Sequence, residues 1–331
     1  MTHSSVPLPM PPALARRFLV TLLVVAAFGA PRGARAQRRV AADPVQRQVV
    51  RADDGHQLVV WSKRPATPRG AILLLHGRTW SALPNFDLQV PAQHVSLMAA
   101  FVARGYAVYA LDQRGYGATA RDTSQWITPE RAARDVNEVL AWIASRERGR
   151  DAPALLGYSQ GSRTAMLAAL RDSGRASALV LYGFPQPVSA EVRAQLAAMP
   201  DPVRLERRAT TIAAAEEDFM SPESTPPGVK EAYGRAAVAA DPVRSDWRGE
   251  RAFAALDPAA LRIPVLVING EHDPYASRAN LPAFMAKLTG IDRSWVVLAR
   301  SDHAAHLERQ REFADAVATF LQQIHSGSRA H

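Results

Sequence analysis

The residue with the clearest chemical potential is Ser159, at the centre of the pentapeptide Gly-Tyr-Ser-Gln-Gly (157–161). The apolar run 154–156 precedes it and a helical pattern follows, which predicts a tight turn between a buried strand and a helix. Such a turn needs small flanking residues and presents the hydroxyl beside the first amides of the helix. A serine held in this way is a nucleophile that needs a base. The pentapeptide alone is weak support, so the rest of the chain must supply the remaining groups.

Candidate partners for this serine follow two later apolar runs, in the order serine, acid, histidine. Asp273 follows the run 264–269, with Glu271 and Asp302 as competing acids. His303 follows the run 295–298, and His306 competes with it as the base. His306 is expected inside the following helix, where it would pack or line a pocket. A serine activated by a histidine that an acid orients would carry out nucleophilic catalysis.

The elements that must position these groups alternate between strand and helix patterns. A hairpin is predicted at 45–50 and 56–61. Further strands are predicted at 71–75, 106–111, 154–156, 178–182, 264–269 and 295–298, and helices at 94–104, 128–148, 160–171, 280–288 and 304–324. This alternation predicts an α/β fold with a mostly parallel, doubly wound sheet. In such a sheet, reactive groups collect at the carboxyl ends of the strands.

The alternation of strand and helix patterns is interrupted over residues 184–256. These 73 residues contain several helical patterns and many prolines but no convincing buried strand. A stretch of this length is too long for a simple loop. We therefore predict a helical cap, or lid, inserted at 184–256 into a core made of 37–183 and 257–331.

The N-terminal segment 1–36 has the layout of an export signal. Arg16 and Arg17 precede the apolar stretch 18–30, and an Ala-Arg-Ala cleavage signal ends at Ala36. The arginine pair resembles a twin-arginine signal. The alternative is a membrane anchor, but the stretch is shorter than the ~20 residues that a spanning helix needs. We expect removal of 1–36, no stable membrane anchor afterwards, and a periplasmic or secreted protein.

Composition excludes several other classes of function. The chain has no cysteine, which excludes disulfides, thiolate metal sites and cysteine nucleophiles. The net charge is +9, but the basic residues are spread along the chain, so no nucleic-acid partner is expected. The pair His272 and Asp273 lacks a second ligand cluster, so no metal is expected. No cofactor is expected either, and the expected partner is a small-molecule substrate. The sequence does not determine the oligomeric state.

Taken together, these motifs resemble the α/β-hydrolase superfamily, in particular esterase- or lipase-like serine hydrolases with a cap domain. The likeness covers about residues 45–325. The matching pieces are His76-Gly77, the stretch 112–117, the pentapeptide 157–161, the stretch 270–274, and His303 before the last helix. The resemblance implies that Ser159 is the nucleophile, His303 the base and Asp273 the acid.

The resemblance also implies an oxyanion hole made by two backbone N–H groups, those of Arg78 and Gln160. The side chains of these two residues are therefore free of that task. The side chain of Arg78 would narrow the site, attract an anionic group of the substrate, or point to solvent. His76, Asp112 and Arg114 are expected to brace neighbouring loops. Four residues would line the pocket or simply pack in the core: Trp80, Tyr158, Phe184 and His306.

The reaction expected from this resemblance is hydrolysis of a small or medium carboxylic ester through an acyl-enzyme. A proline iminopeptidase-like peptidase is the main alternative, in which Glu216, Glu217 and Asp218 of the cap would receive a substrate amine. A hydrolase of carbon–carbon bonds is a further alternative. A catalytically silent binding protein and a membrane-tethered structural protein come from other classes. A serine at position 159 argues against family members that use an aspartate nucleophile.

Overall fold

A computed structural model describes residues 44–148, 150–184, 190–221, 223–276 and 278–327. The predicted export signal at 1–36 lies outside these residues. Their strands are β1 (Gln46–Arg51), β2 (Gln57–Lys63), β3 (Gly70–Leu75), β4 (Tyr106–Asp112), β5 (Trp126–Ile127), β6 (Ala154–Tyr158), β7 (Leu179–Tyr182), β8 (Asp246–Trp247), β9 (Val265–Gly270) and β10 (Arg293–Leu298).

Eight of these strands form one sheet in the order β1-β2-β4-β3-β6-β7-β9-β10. The strands β1, β2 and β4 pair antiparallel, and every other pair in the sheet is parallel. All residues of β4, β6, β7 and β9 are buried, which explains their continuous apolar runs: a strand covered on both faces has no polar side. The predicted fold class is confirmed.

The helices are α1 (Ala82–Phe86), α2 (Leu97–Ala103), α3 (Pro129–Arg146), α4 (Gln160–Arg171), α5 (Ala190–Ala197), α6 (Ile212–Glu216), α7 (Val229–Ala240), α8 (Leu281–Lys287), α9 (Ala305–Glu308) and α10 (Gln310–Gly327). The long helix α3 begins where the sequence provides a cap. Thr128 accepts a hydrogen bond from the Arg131 N–H at 3.3 Å, and Pro129 occupies the first turn of α3.

Helices cover both faces of the sheet. One apolar cluster packs α3, α4 and α8 on one face, with Val136, Leu140 and Met166 among its residues. A second cluster packs α1, α2 and α10 on the other face, including Phe101 and Phe313. The carboxyl ends of the parallel strands meet at one edge between these layers, which is where the candidate residues lie.

Residues 184–256, predicted as a helical insertion, contain α5, α6, α7, β8 and a 3₁₀ helix at Glu250–Ala255. The short strand β8, which the sequence did not indicate, pairs parallel with β5. A third apolar cluster joins this segment to the core through Phe219 and Tyr233 on one side and Trp80 and Leu307 on the other. We call residues 184–256 the inserted segment.

Most predicted boundaries are within two residues of the observed ones, and two helices differ by more. The helix expected from position 94 begins at Leu97, because Ser96 caps it by accepting the Ala99 N–H at 3.0 Å. The closing helix is interrupted at Arg309, which separates α9 from α10. Within the described residues, no helix combines the length and the apolar character that crossing a membrane requires.

Candidate active site

Ser159 lies on a strained turn between β6 and α4. Its φ of 53° and ψ of −124° are unusual for a residue with a side chain, and its N–H donates to the Tyr182 carbonyl at 2.8 Å. The glycines around it are required by space. A Cβ on Gly157 would lie 2.5 Å from the Gly161 oxygen, and one on Gly77 would lie 2.9 Å from the Ser159 Cβ. The turn therefore holds the serine against the loop that follows β3.

His303 and Asp273 are in direct contact. The distance from His303 Nδ1 to Asp273 Oδ2 is 2.9 Å, and both side chains are almost fully buried. The other carboxylate oxygen accepts the N–H groups of Tyr275 at 2.9 Å and Ala276 at 3.3 Å, which fixes its orientation. An Nδ1–H donor to the carboxylate leaves Nε2 of the imidazole as the proton acceptor.

Charge around His303 favours its protonated form. Burial is the largest influence and lowers the pKa, but the hydrogen bond and charge of Asp273 outweigh it. The carboxylates of Asp218 and Asp302 add to this effect, so the pKa of His303 lies above its usual value. Burial raises the pKa of Asp218 to about 6. Asp218 is one of the three acids weighed in the cap, and its charge acts on His303.

The competing acids have other partners. Glu271 is half-buried and accepts the Arg300 N–H at 2.9 Å. Asp302 is buried, and its Oδ2 accepts the N–H groups of Met220 at 2.7 Å and Ser221 at 2.8 Å. The Asp302 carboxylate therefore fastens the inserted segment to the core beside His303.

His306, the competing base, belongs to an aromatic cluster. Its Nδ1 lies 3.0 Å from the Tyr182 hydroxyl oxygen, and its ring centroid lies 4.8 Å from that of Tyr158. Burial lowers the pKa of His306 to about 3, so the ring is neutral. Tyr158 in turn stacks on Tyr182 at 4.9 Å and lies 4.9 Å from the His303 ring.

The two predicted oxyanion donors lie on adjoining elements, and their side chains are not free. Arg78 Nη1 lies 2.8 and 2.7 Å from the two carboxylate oxygens of Glu250. Gln160 Nε2 donates to the same carboxylate at 3.0 Å. Neither of these side-chain contacts was predicted from the sequence. The positive charge of Arg78 is paired with a residue of the inserted segment.

The loop that carries Arg78 is braced from below by buried polar groups. His76 Nδ1 donates to the Gly77 carbonyl at 2.8 Å, and His76 Nε2 accepts the Gln113 N–H at 3.1 Å. Burial lowers the pKa of His76 to about 4, so it is neutral as this pattern requires. Asp112 accepts the Ala82 N–H at 2.9 Å.

Further braces tie neighbouring loops and the inserted segment to this region. Arg114 forms ion pairs with Asp135 at 2.7 Å and Asp54 at 2.8 Å. The Asp241 carboxylate, from the inserted segment, accepts the N–H groups of Ser81 at 2.7 Å and of Gly117 at 2.8 Å.

The predicted pocket residues are mostly core residues. Trp80, Tyr158 and His306 are buried in the contacts given above, and Phe184 packs against Phe284 at 5.5 Å between ring centroids. Tyr275 was not predicted. The residue is 50% exposed and its ring centroid lies 4.8 Å from that of His303, so it forms part of the wall of the site.

No group of three or more potential metal-binding side chains occurs among the described residues. Sequence reasoning also missed Asp241 and Glu250. Their partners lie 160 residues away at Ser81 and 172 residues away at Arg78, and no local pattern marks such contacts.

Comparison with known proteins agrees with this fold. The sequence profile of the "Alpha/beta hydrolase family" matches residues 72–316. The chain belongs to the alpha/beta hydrolase family. Within it, the chain is 27% identical over 231 residues to a 2-hydroxy-6-oxo-6-(2'-aminophenyl)hexa-2,4-dienoic acid hydrolase of Metapseudomonas resinovorans, covering 66% of this chain and 75% of that protein.

Solved structures share the fold of this alpha/beta hydrolase. A hydrolase from Pseudomonas aeruginosa PA01 superposes with a TM-score of 0.60 and 23% identity, covering 83% of this chain and 98% of that one. An esterase from Exiguobacterium antarcticum superposes with a TM-score of 0.60 and 18% identity, covering 84% of this chain and all (100%) of the other.

Proposed function

We propose that this alpha/beta hydrolase cleaves a small or medium carboxylic ester through an acyl-enzyme on Ser159. The observation that carries the proposal is the 2.9 Å contact between His303 Nδ1 and Asp273 Oδ2, at the same sheet edge as the strained turn of Ser159. Buried contacts of this kind set the tautomer of an imidazole so that its other nitrogen accepts a proton.

In the acylation step, the Ser159 oxygen attacks the ester carbonyl carbon and its proton passes to His303 Nε2. Asp273 stays ionised and stabilises the imidazolium. The carbonyl oxygen becomes negatively charged and accepts hydrogen bonds from the N–H groups of Arg78 and Gln160. One such donor contributes about 10²–10³-fold to kcat.

The intermediate then collapses. The bond to the alcohol oxygen breaks, and that oxygen takes the proton from His303 as it leaves. A water molecule next gives a proton to His303 and attacks the acyl carbon, and the bond to the Ser159 oxygen breaks. The acid is released and the serine regains its proton.

Replacement of the nucleophile tests this proposal. We expect Ser159→Ala to lower kcat for aryl esters by about 10⁵-fold or more, and to abolish labelling by a fluorophosphonate probe. Ser145→Ala is the control, because this exposed hydroxyl donates only to the Trp142 carbonyl at 2.7 Å. Undiminished ester turnover by Ser159→Ala would sink the assignment. An unlabelled wild-type chain would favour a catalytically silent binding protein.

A second candidate is hydrolysis of a carbon–carbon bond, favoured by the Metapseudomonas resinovorans relative. The compound in its name has a ketone and a carboxylic acid but no ester or amide, so hydrolysis must break a carbon–carbon bond. Parallel assays with that compound, aryl esters and prolyl anilides separate the two candidates and the peptidase alternative. Turnover of the dienoic acid with a kcat/KM above that of every ester would replace the first candidate.

A further inference from the structure

The carboxylate of Glu250 bridges the two residues that provide the proposed oxyanion hole. It contacts Arg78 Nη1 at 2.8 and 2.7 Å and Gln160 Nε2 at 3.0 Å. Arg78 follows β3 and Gln160 opens α4, so a single group fixes two separate elements. Under the proposed function, the backbone N–H groups of these residues bind the oxyanion, and their side chains both contact the inserted segment.

The backbone at both donors has a reason to move unless it is held. Thr79, directly after Arg78, has a φ of 84°, and Ser159, directly before Gln160, has a φ of 53°. Left-handed backbone at residues with a side chain is strained and persists only where surrounding contacts impose it. The Thr79 N–H reaches the Tyr116 hydroxyl at only 3.4 Å, so this part of the loop is weakly tied.

Glu250 is itself firmly placed. It begins the 3₁₀ helix at Glu250–Ala255, and the preceding Gly249 donates its N–H to Asp201 at 2.8 Å. Phe253 of the same helix is fully buried in the core cluster. The Glu250 side chain is only 17% exposed. A carboxylate fixed in this way can hold both of its partner side chains in place.

We propose that Glu250 is a positioning residue of the reaction. Its carboxylate accepts hydrogen bonds from the side chains of Arg78 and Gln160 and thereby holds their backbone N–H groups at the oxyanion. This inference rests on the proposed serine-hydrolase function. It assigns the inserted segment a part in stabilising the transition state. It also explains an arginine at position 78, whose guanidinium reaches the carboxylate of Glu250.

The predicted effect is on kcat and not on KM, because the oxyanion is absent from the bound ester and develops only as the transition state is reached. We expect Glu250→Ala to lower kcat for an aryl ester by about 10–100-fold, since a displaced donor loses part of the 10²–10³-fold that it contributes. Glu250→Gln keeps an amide oxygen for both donors and should recover much of that loss. The affinity for an arylboronic acid, which forms an anionic tetrahedral adduct, should fall in parallel with kcat.

A mutant cycle shows whether Glu250 acts through its two partners. Arg78→Met with Gln160→Met removes both side-chain contacts but keeps both backbone N–H groups. In that background we expect Glu250→Ala to change kcat by less than about 2-fold, because coupled residues are not additive. Glu206→Gln is the matched control within the inserted segment, since Glu206 pairs at the surface with Arg208 at 2.8 Å. It should leave kcat unchanged.

Thermal melts accompany every variant, and if Glu250→Ala fails to fold, the Arg78→Met and Gln160→Met double variant replaces it, with the same expected loss of kcat. An unchanged kcat in both Glu250 variants overturns the inference, as does an equal loss in the background that lacks both partners. Labelling of wild-type Ser159 by a fluorophosphonate separates the two proposals. If the serine is labelled and the Glu250 variants are normal, only this inference fails. If the serine is inert, the proposed function fails and the inference falls with it.

Discussion

The strand ends of the sheet and the inserted segment both reach the site, but over very different distances along the chain. At the strand ends, Ser159 follows β6 at once and Asp273 lies three residues after β9. From the inserted segment, Glu250 reaches a partner 172 residues away and Asp241 one 160 residues away. At the strand ends, turn geometry places the side chains. The inserted segment reaches the site through carboxylates that form hydrogen bonds and ion pairs with residues of the core.

The two regions therefore make different contributions to the site. Under the proposed function, the turns at the strand ends define the reaction, because a strained backbone and close glycines place Ser159, His303 and Asp273. The contacts of the inserted segment act on those groups without replacing them. Asp218 raises the pKa of His303, and Glu250 contacts the side chains of both residues that are proposed to form the oxyanion hole. Variants matched across the two regions test this division.

The largest effect is expected at the acid of the core. Asp273→Asn should lower kcat by about 10⁴-fold, because an amide favours the wrong imidazole tautomer and cannot stabilise the imidazolium. Asp302→Asn is the comparison, since that carboxylate binds N–H groups of the inserted segment. It should cost less than about 10-fold. Steady-state kinetics on one aryl ester give both values. If Asp302→Asn proved the more damaging, the roles of the two acids would have to be exchanged.

Two glycines with a positive φ provide the next comparison. A Cβ on Gly183, with a φ of 53°, would lie 2.9 Å from His303 Cε1 and 3.3 Å from Asp273 Oδ2. Gly183→Ala should therefore displace the pair and lower kcat by about 10²-fold.

The matched variant lies in the inserted segment. Gly228 has a φ of 77°, and a Cβ there would meet nothing within 4 Å. Gly228→Ala should cost about 1 kcal/mol of stability through its left-handed backbone and leave kcat intact. Thermal melts and ester kinetics check both variants. A loss of kcat in Gly228→Ala as large as in Gly183→Ala would show that the inserted segment carries catalytic geometry at that point.

These variants also mark how far the sequence could predict the molecule. Buried strands have continuous apolar runs, and Thr128 with Pro129 marks the start of a helix. The sheet and the helix α3 could therefore be predicted from the sequence. The turn at Ser159 could also be predicted from the local sequence, because it depends on the neighbouring glycines. Contacts between distant residues leave no such local pattern.

The inserted segment shows what was not readable. Its contacts through Glu250 depend on where a long excursion of the chain returns, and no residue near Arg78 or Gln160 signals that carboxylate. The strand β8 is only two residues long, too short to produce an alternating pattern. Tertiary packing therefore decides this region, whereas local geometry decides the strand ends.

The smallest expected effect is a shift in pH dependence caused by Asp218. His303 must be neutral to accept the serine proton, so activity rises as the pH passes through its pKa. Asp218 raises the pKa of His303 and, with its own pKa at about 6, is ionised at neutral pH. Asp218→Asn removes this negative charge and should lower the pKa of His303. The acidic limb of the profile of kcat/KM against pH should therefore move to lower pH.

Glu217→Gln is the control for this shift, because Glu217 is the exposed neighbour of Asp218 in the inserted segment. It should leave the acidic limb where it is in the wild type. The charges of Asp273 and Asp302 remain in both variants, so any difference between the two profiles belongs to Asp218. If the acidic limb stays in place in Asp218→Asn, or moves to higher pH, residues at the strand ends alone set the pKa of His303. A shift to lower pH would show that the inserted segment tunes a base that the core alone positions.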